Sequence, residues 1–122
     1  MGNPTESALG QDGTAHVAVH GEIDFSNADE IAQVFRDAVT DWAPSVLKVD
    51  LRAATFIDST GLGALIEGYR AATERDSSFV VVNPTPGFRR VLIVTGLYEL
   101  FGMTEQDGMT ERDDSLSSAT GA

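Results

Sequence analysis

The sequence predicts an α/β fold, a small single domain with a mixed β-sheet of about four to five strands and helices packed on it. Two observations support this prediction. Segments with strand-like patterning alternate along the chain with segments in which apolar residues recur every three or four positions. Strands separated by helices are typical of βαβ units. The length of 122 residues also fits one domain.

The first half of the chain predicts a strand, a helix and a second strand. Residues 14–23 alternate between apolar and other side chains, which indicates a strand. Apolar residues then recur at helical spacing over about 28–42, after residues 26–27, which suit a helix N-cap. Pro44 ends this helix, and residues 46–51 form a largely apolar strand.

The second half predicts helix, strand and helix. An apolar helical stripe begins just after Ser59 and includes Leu65, Ile66 and Ala72. Residues 79–82 form a continuous apolar run that is typical of a fully buried strand. Helical spacing predicts a third helix that contains Phe88, Val91, Leu92 and Thr95 and that Gly96 can end. A last short element contains Leu100 and Phe101.

The two ends of the chain differ from this central part. Residues 1–12 are mostly small and polar, so we predict a flexible N-terminus followed by the folded domain over residues 13–104. Residues 105–122 contain five acidic residues against one arginine and very few apolar ones. Such a segment buries too little apolar surface to offset the entropy of ordering, which predicts a disordered acidic tail.

Composition excludes several classes of function. The formal net charge of −11 disfavours binding to nucleic acid or to anionic membranes. The absence of cysteine excludes disulfides, zinc thiolate sites and thiol catalysis. The N-terminal residues do not resemble a secretory signal, and no apolar run approaches the roughly 20 residues of a membrane span. These features predict a cytoplasmic protein.

The segment over residues 56–65, FIDSTGLGAL, is the candidate functional site. Asp58, Ser59 and Thr60 all suit a helix N-cap, although one helix needs only one such residue. Gly61 and Gly63 follow at once, and each lowers helix propensity by about 1 kcal/mol. A tight helix start explains part of this pattern. The surplus of capping residues and the two glycines favour an accessible hydroxyl that another protein approaches.

Catalytic and ligand-binding motifs do not fit this segment. A nucleophile elbow needs glycine two residues before the serine, where Ile57 stands. Ile66 occupies the position of the third glycine of a dinucleotide-binding motif, and the chain has no phosphate-binding P-loop. His16 and His20 would lie about 13 Å apart on one strand, too far to share a metal ion. We therefore predict no catalytic residue, no metal site and no cofactor.

Three segments together resemble STAS domains, specifically those of bacterial anti-sigma factor antagonists. The block over residues 46–70 is similar to the central segment of that family. Residues 21–24, GEID, resemble the turn that follows the family's early strand, and residues 91–97 resemble its third helix and the glycine-leucine after it. The resemblance extends over about residues 13–102, which is nearly all of the predicted domain.

The resemblance implies a phosphorylation switch. It places the phosphorylated residue at Ser59, with Asp24 and Asp58 at the acidic positions beside it. The implied partner is an anti-sigma factor that is also an ATP-dependent serine kinase, with a phosphatase to reverse the modification. The unphosphorylated protein would bind this partner and release a sigma factor. The implied partner-binding residues are Asp24, Asp58, Thr60, Gly61, Leu62 and Gly63.

Two alternatives remain at this point. The domain could be a STAS subunit of another complex, such as a lipid-transport or stress-sensing assembly, with no phosphorylation at Ser59. It could also be a small hydrolase or nucleotide-binding enzyme that uses Ser59, although the motifs above argue against catalysis. The identities of the sigma factor and the kinase do not follow from the sequence.

Overall fold

A computed structural model describes residues 5–102 of the chain and shows six strands and four helices. In chain order the elements are β1 Thr5–Leu9, β2 Thr14–Val19, β3 Gly21–Ile23, α1 Ala28–Trp42, β4 Val46–Asp50, β5 Ala54–Ile57, α2 Ser59–Glu74, β6 Ser78–Val82, α3 Pro86–Thr95 and α4 Leu97–Leu100.

The strands form a mixed four-stranded sheet and a small parallel pair. The larger sheet has the order β1-β2-β4-β6, with β1 antiparallel to β2 and the other neighbours parallel. Strands β3 and β5 pair in parallel as a second sheet. This arrangement confirms the predicted α/β fold class and its mixed sheet.

The predicted strand over residues 14–23 is two strands in the structure. β2 ends at Val19, and β3 begins at Gly21, whose φ of 73° turns the chain away from the larger sheet. Glycine adopts this conformation without the steric penalty that other residues experience. Because residues on both sides of the turn alternate in polarity, the periodicity did not reveal the break.

Residues 5–9 correct the prediction of a flexible segment over residues 1–12. They form β1, which pairs with β2 along its whole length, from Thr5 opposite Val19 to Leu9 opposite Ala15. Four of its five residues are exposed. The strand is held by backbone hydrogen bonds at the sheet edge, so its side chains carry no pattern of burial. The predicted acidic tail, residues 105–122, lies outside the described residues.

Helices α1 and α2 pack against each other and against one face of the larger sheet. Alternate residues of β2, β4 and β6 are buried on this face, whereas the residues between them are partly or fully exposed. An aromatic cluster lies at the centre of the packing, with ring centroids 5.2–6.3 Å apart. Its members are Phe35, Tyr69, Phe79 and Phe101.

Helix α3 buries less of its apolar surface than the sequence predicted. Phe88 and Leu92 are buried, as expected from their spacing. Val91, which was predicted on the same stripe, is 43% exposed, and Val94 is 79% exposed. The stripe is narrower than predicted because the helix contacts the rest of the domain along one line of residues only.

Candidate functional site

The candidate site lies where the parallel strands β3 and β5 end side by side. Ile23 is the register partner of Ile57. The Asp58 amide donates a hydrogen bond to the Ile23 carbonyl at 3.1 Å, which continues the pairing one step further. Asp24 and Asp58 therefore leave the same sheet edge together, although they are far apart in sequence.

Asp58 is the N-cap of α2. Its Oδ1 accepts a hydrogen bond from the Gly61 amide at 2.9 Å, and its carbonyl accepts the first intrahelical bond, from Leu62. One carboxylate oxygen thus satisfies an amide that would otherwise lack a partner at the helix start. Ser59 and Thr60 are not needed for capping.

Ser59 and Thr60 present free hydroxyls in the first turn of α2. Both residues are exposed. Among the side-chain hydrogen bonds found over residues 5–102, none involves either hydroxyl. Their oxygens are therefore accessible to another molecule, and the positive end of the helix dipole lies beside them.

Replacing Asp58 with alanine is expected to destabilise the domain by about 1 kcal/mol, because the Gly61 amide loses its acceptor. Urea unfolding followed by circular dichroism measures this loss. Asp58→Asn is the matched control, since its side-chain oxygen can still accept the bond. Equal stability of the wild type and Asp58→Ala would show that the cap contributes nothing.

The two glycines of the motif have different roles. A Cβ on Gly61 would lie 2.6 Å from the Ile23 carbonyl oxygen and 2.7 Å from its Cγ2. A Cβ on Gly63 would have no neighbour within 4 Å. Gly61, which the resemblance placed among the partner-binding residues, is buried and lets α2 approach β3 closely. Only Gly63 leaves open space at the surface.

The loop after β3 is held by a compact set of hydrogen bonds. Oδ1 of Asp24 accepts from the Ser26 amide at 3.0 Å and from the Ser26 hydroxyl at 2.6 Å. Oδ1 of Asn27 accepts from the Asp24 amide, and Nδ2 of Asn27 donates to the Glu22 carbonyl. The hydrogen bond from the Ser26 hydroxyl, followed by that from the Ser26 amide, lowers the pKa of Asp24, so its carboxylate stays ionised further into the acidic range.

A groove lies between α1 and α2 next to the exposed hydroxyls. It has a volume of about 440 Å³, and half of its lining residues are small residues of the two helices, whereas Thr60 and Asp29 also line it. Arg36 of α1 and Glu67 of α2 also line it, with Nη1 and Oε1 3.8 Å apart. The small lining residues are Ala28, Ala32, Gly63 and Ala64.

The residues predicted from the sequence are thus only partly brought together. Asp24, Asp58 and Thr60 lie at one edge of the domain around Ser59, and Gly63 lines the neighbouring groove. Leu62 is half-buried and packs against the core. Phe25, which the sequence interpretation missed, is 81% exposed in the same loop as Asp24. A large apolar residue directly after an acidic turn was the available signal.

These features define a class of protein: a small α/β domain whose candidate site is an open surface with an accessible serine, rather than an enclosed catalytic cleft. The chain belongs to the STAS domain family, whose model matches residues 7–109. This finding confirms the family indicated by the three sequence segments.

Comparison with individual proteins agrees with this membership. The chain is 26% identical over 92 residues to the anti-sigma-B factor antagonist of Listeria monocytogenes, covering 75% of this chain and 80% of that protein. It is similar to the crystal structure of an anti-sigma factor antagonist from Mycobacterium paratuberculosis, with 34% identity, a TM-score of 0.70, and coverage of 81% and 82% of the two chains. The chain is thus a distant homologue of anti-sigma factor antagonists.

The fold itself is shared more widely. A sulfate transporter family protein from Wolinella succinogenes has a TM-score of 0.65 and 22% identity, with 83% of this chain and 79% of that chain covered. At this identity the likeness shows a common fold alone. Within residues 5–102, no helix of this chain is both long and apolar enough to cross a membrane.

Proposed function

We propose that this protein is an anti-sigma factor antagonist that acts in the cytoplasm and is controlled by phosphorylation of Ser59. When unphosphorylated, it binds an anti-sigma factor and thereby releases a sigma factor. The observation that supports this most directly is the Ser59 hydroxyl, which is exposed and has no hydrogen-bond partner within residues 5–102. The homology to anti-sigma factor antagonists supplies the class of partner.

The proposed modification needs ATP and a kinase, and the anti-sigma factor is the proposed kinase. The Ser59 oxygen forms a bond to the γ-phosphorus of ATP, ADP leaves, and the hydroxyl proton is released. The phosphoserine has a charge of about −1.5 to −2 at pH 7. It lies beside Asp58 and near Asp24, so phosphorylation increases the negative charge of an already acidic surface. A phosphatase would restore binding.

The fold can accommodate this phosphate without rearrangement. Ser59 is the first residue of α2, where helix amides and the helix dipole favour negative charge. Because its hydroxyl makes no bond inside residues 5–102, phosphorylation breaks no contact of the domain. The proposed switch therefore acts on the interface with the partner, whereas the domain stays folded.

Mapping of the phosphate tests the proposal. We expect the protein to gain one phosphate when it is incubated with ATP and a candidate anti-sigma factor kinase, and peptide mass spectrometry should locate it at Ser59. Thr60, exposed one residue further, is the internal comparison. Phosphate on Thr60 would move the site by one residue, and a Ser59→Ala variant that is still modified would exclude Ser59.

A second experiment with the same kinase addresses the alternative of a STAS subunit in another complex. That alternative is supported by the breadth of the fold, as in the sulfate transporter family protein. It predicts no modification of Ser59 and no binding to an anti-sigma factor. Calorimetric titration of the unphosphorylated protein into the same kinase therefore distinguishes the two functions.

A further inference from the structure

Phe25 is a large apolar side chain that the core does not use. It is 81% exposed, whereas Ile23, two residues earlier, is fully buried. Exposure of a whole aromatic ring to water is unfavourable, by roughly 25 cal/mol for each Å² of apolar surface. Covering this ring on association would recover that free energy. Tyrosine and tryptophan lead among the residues that dominate protein interfaces, and other aromatic rings are enriched there as well.

The backbone around Phe25 is held firmly. The amides of Asn27 and Ala28 donate to the Asp24 carbonyl at 3.1 and 2.8 Å, so the chain closes a tight turn around Phe25. The Asp24 side chain accepts a hydrogen bond from the Ser26 amide. The Asn27 side chain accepts from the Asp24 amide and donates to the Glu22 carbonyl. An anchor on a preformed turn loses little backbone entropy when it is bound, which favours tight association.

Phe25 is also near the proposed phosphorylation site in the fold, because β3 and β5 end side by side. Phe25 is two residues beyond Ile23, and Ser59 is two residues beyond Ile57, which is the register partner of Ile23. On the α1 side, Ala28 follows Phe25 by three residues and lines the groove that Thr60 also lines. Phe25, Ser59 and the groove thus lie at the same end of the β3–β5 pair.

The charge of this surface indicates the charge of the partner surface that would bind it. Residues 21–35 and 53–69 contain no lysine or arginine, and the groove is lined by one cation, Arg36, whose Nη1 lies 3.8 Å from Oε1 of Glu67. These two segments contribute exposed or half-buried acidic residues around Phe25 and Ser59: Glu22, Asp24, Asp29, Glu30 and Asp58. A complementary partner surface is therefore basic, with an apolar pocket for the ring.

We infer that Phe25 is the apolar anchor of this surface and inserts into a pocket with a basic rim on the partner protein. The inference rests on the proposed function, because it assigns the partner as the anti-sigma factor. The ring supplies affinity, whereas the acidic residues around it steer the encounter. Phosphate at Ser59 then weakens the contact by its bulk and by the water that it retains, which keep the partner away from the Phe25 ring.

A matched pair of exposed apolar residues tests this inference. Phe25→Ala should weaken binding of the anti-sigma factor about 30-fold, as expected for an interface anchor. Val94→Ala, on α3 and 79% exposed, should leave the affinity unchanged. Phe25→Leu should give an intermediate loss. Calorimetry measures the affinities, and thermal unfolding checks that the melting temperature of each variant matches the wild type.

The outcomes separate this inference from the proposed function. If the wild type binds the anti-sigma factor and Phe25→Ala binds equally well, the anchor is wrong and the proposed function stands. An equal loss for Val94→Ala would place the contact on α3 and overturn the anchor as well. If the wild type binds no anti-sigma factor, the proposed function fails, and the inference that rests on it fails too. Reversal of charge at Asp29 and Glu30 should slow association, mostly at low salt.

Discussion

Ser59→Asp is expected to weaken binding of the anti-sigma factor about 100-fold relative to the wild type. A carboxylate at residue 59 is larger than the hydroxyl and loses its water when the partner covers it, and Asp24 and Asp58 on the same surface offer it no cation to pair with. Aspartate has one negative charge, less than phosphoserine at pH 7, so the phosphorylated protein should bind more weakly still. Calorimetric titration of the three forms against the same partner measures the series.

Stability should change little in the same variant. Ser59 is exposed, and its hydroxyl makes no hydrogen bond within residues 5–102. A carboxylate in the first turn of a helix is favourable by about 0.3–1 kcal/mol, so a slightly higher melting temperature is expected. Weaker binding without loss of stability places the effect at the interface.

Two variants serve as controls for the charge effect. Ser59→Ala removes the phosphate acceptor and should keep wild-type affinity, which would make the protein insensitive to the kinase. Thr60→Asp introduces the same charge one residue further along α2 and tests how closely the effect depends on position. Equal affinities of the wild type, Ser59→Asp and phosphorylated proteins would contradict the switch mechanism.

The fold class was predictable because burial and periodicity coincide in the central elements. Residues Phe79 and Val81 of β6 are almost completely buried, and β2 and β4 are buried at alternate positions. Helix α1 was predicted at its observed bounds, since its apolar stripe is broad and Pro44 follows it. In these elements the side chains, rather than the backbone, determine the structure.

The parts that were missed depend on backbone interactions. β1 is a mostly exposed edge strand, and β5 is only four residues long, so neither has the periodicity that reveals a strand. The break between β2 and β3 depends on the conformation of Gly21. Such features arise from backbone hydrogen bonds and backbone angles, which the polarity of the side chains does not reveal.

The chemistry of the site was predictable from the sequence, but the exposure and burial of the residues around it were not. The excess of capping residues at 58–60 indicated that a hydroxyl would remain free, and Asp58 alone is the cap in the structure. The exposure of Phe25 depends on a turn formed by Asp24 and Asn27, which sequence patterns did not reveal. The buried position of Gly61 was not predicted because it depends on the close approach of α2 to β3, a tertiary contact that the helix pattern does not specify.

Gly61→Ala is expected to destabilise the domain by about 3 kcal/mol, the upper end of the range for overpacking. The added methyl group would lie 2.6 Å from the Ile23 carbonyl oxygen, which also accepts the hydrogen bond from Asp58. Moving that carbonyl would disturb the end of the β3–β5 pair as well as the start of α2. The gain of about 1 kcal/mol in helix propensity offsets only part of this cost.

Gly63→Ala is the matched control for this effect, with the same added methyl group two residues further along the same helix turn. Its Cβ has no neighbour within 4 Å, so the gain in helix propensity should stabilise the domain by about 0.5–1 kcal/mol. Urea unfolding of the two variants and the wild type, without any partner, measures both changes. Opposite signs are expected. If Gly61→Ala were as stable as Gly63→Ala, the close approach of α2 to β3 would not constrain the position of Ser59.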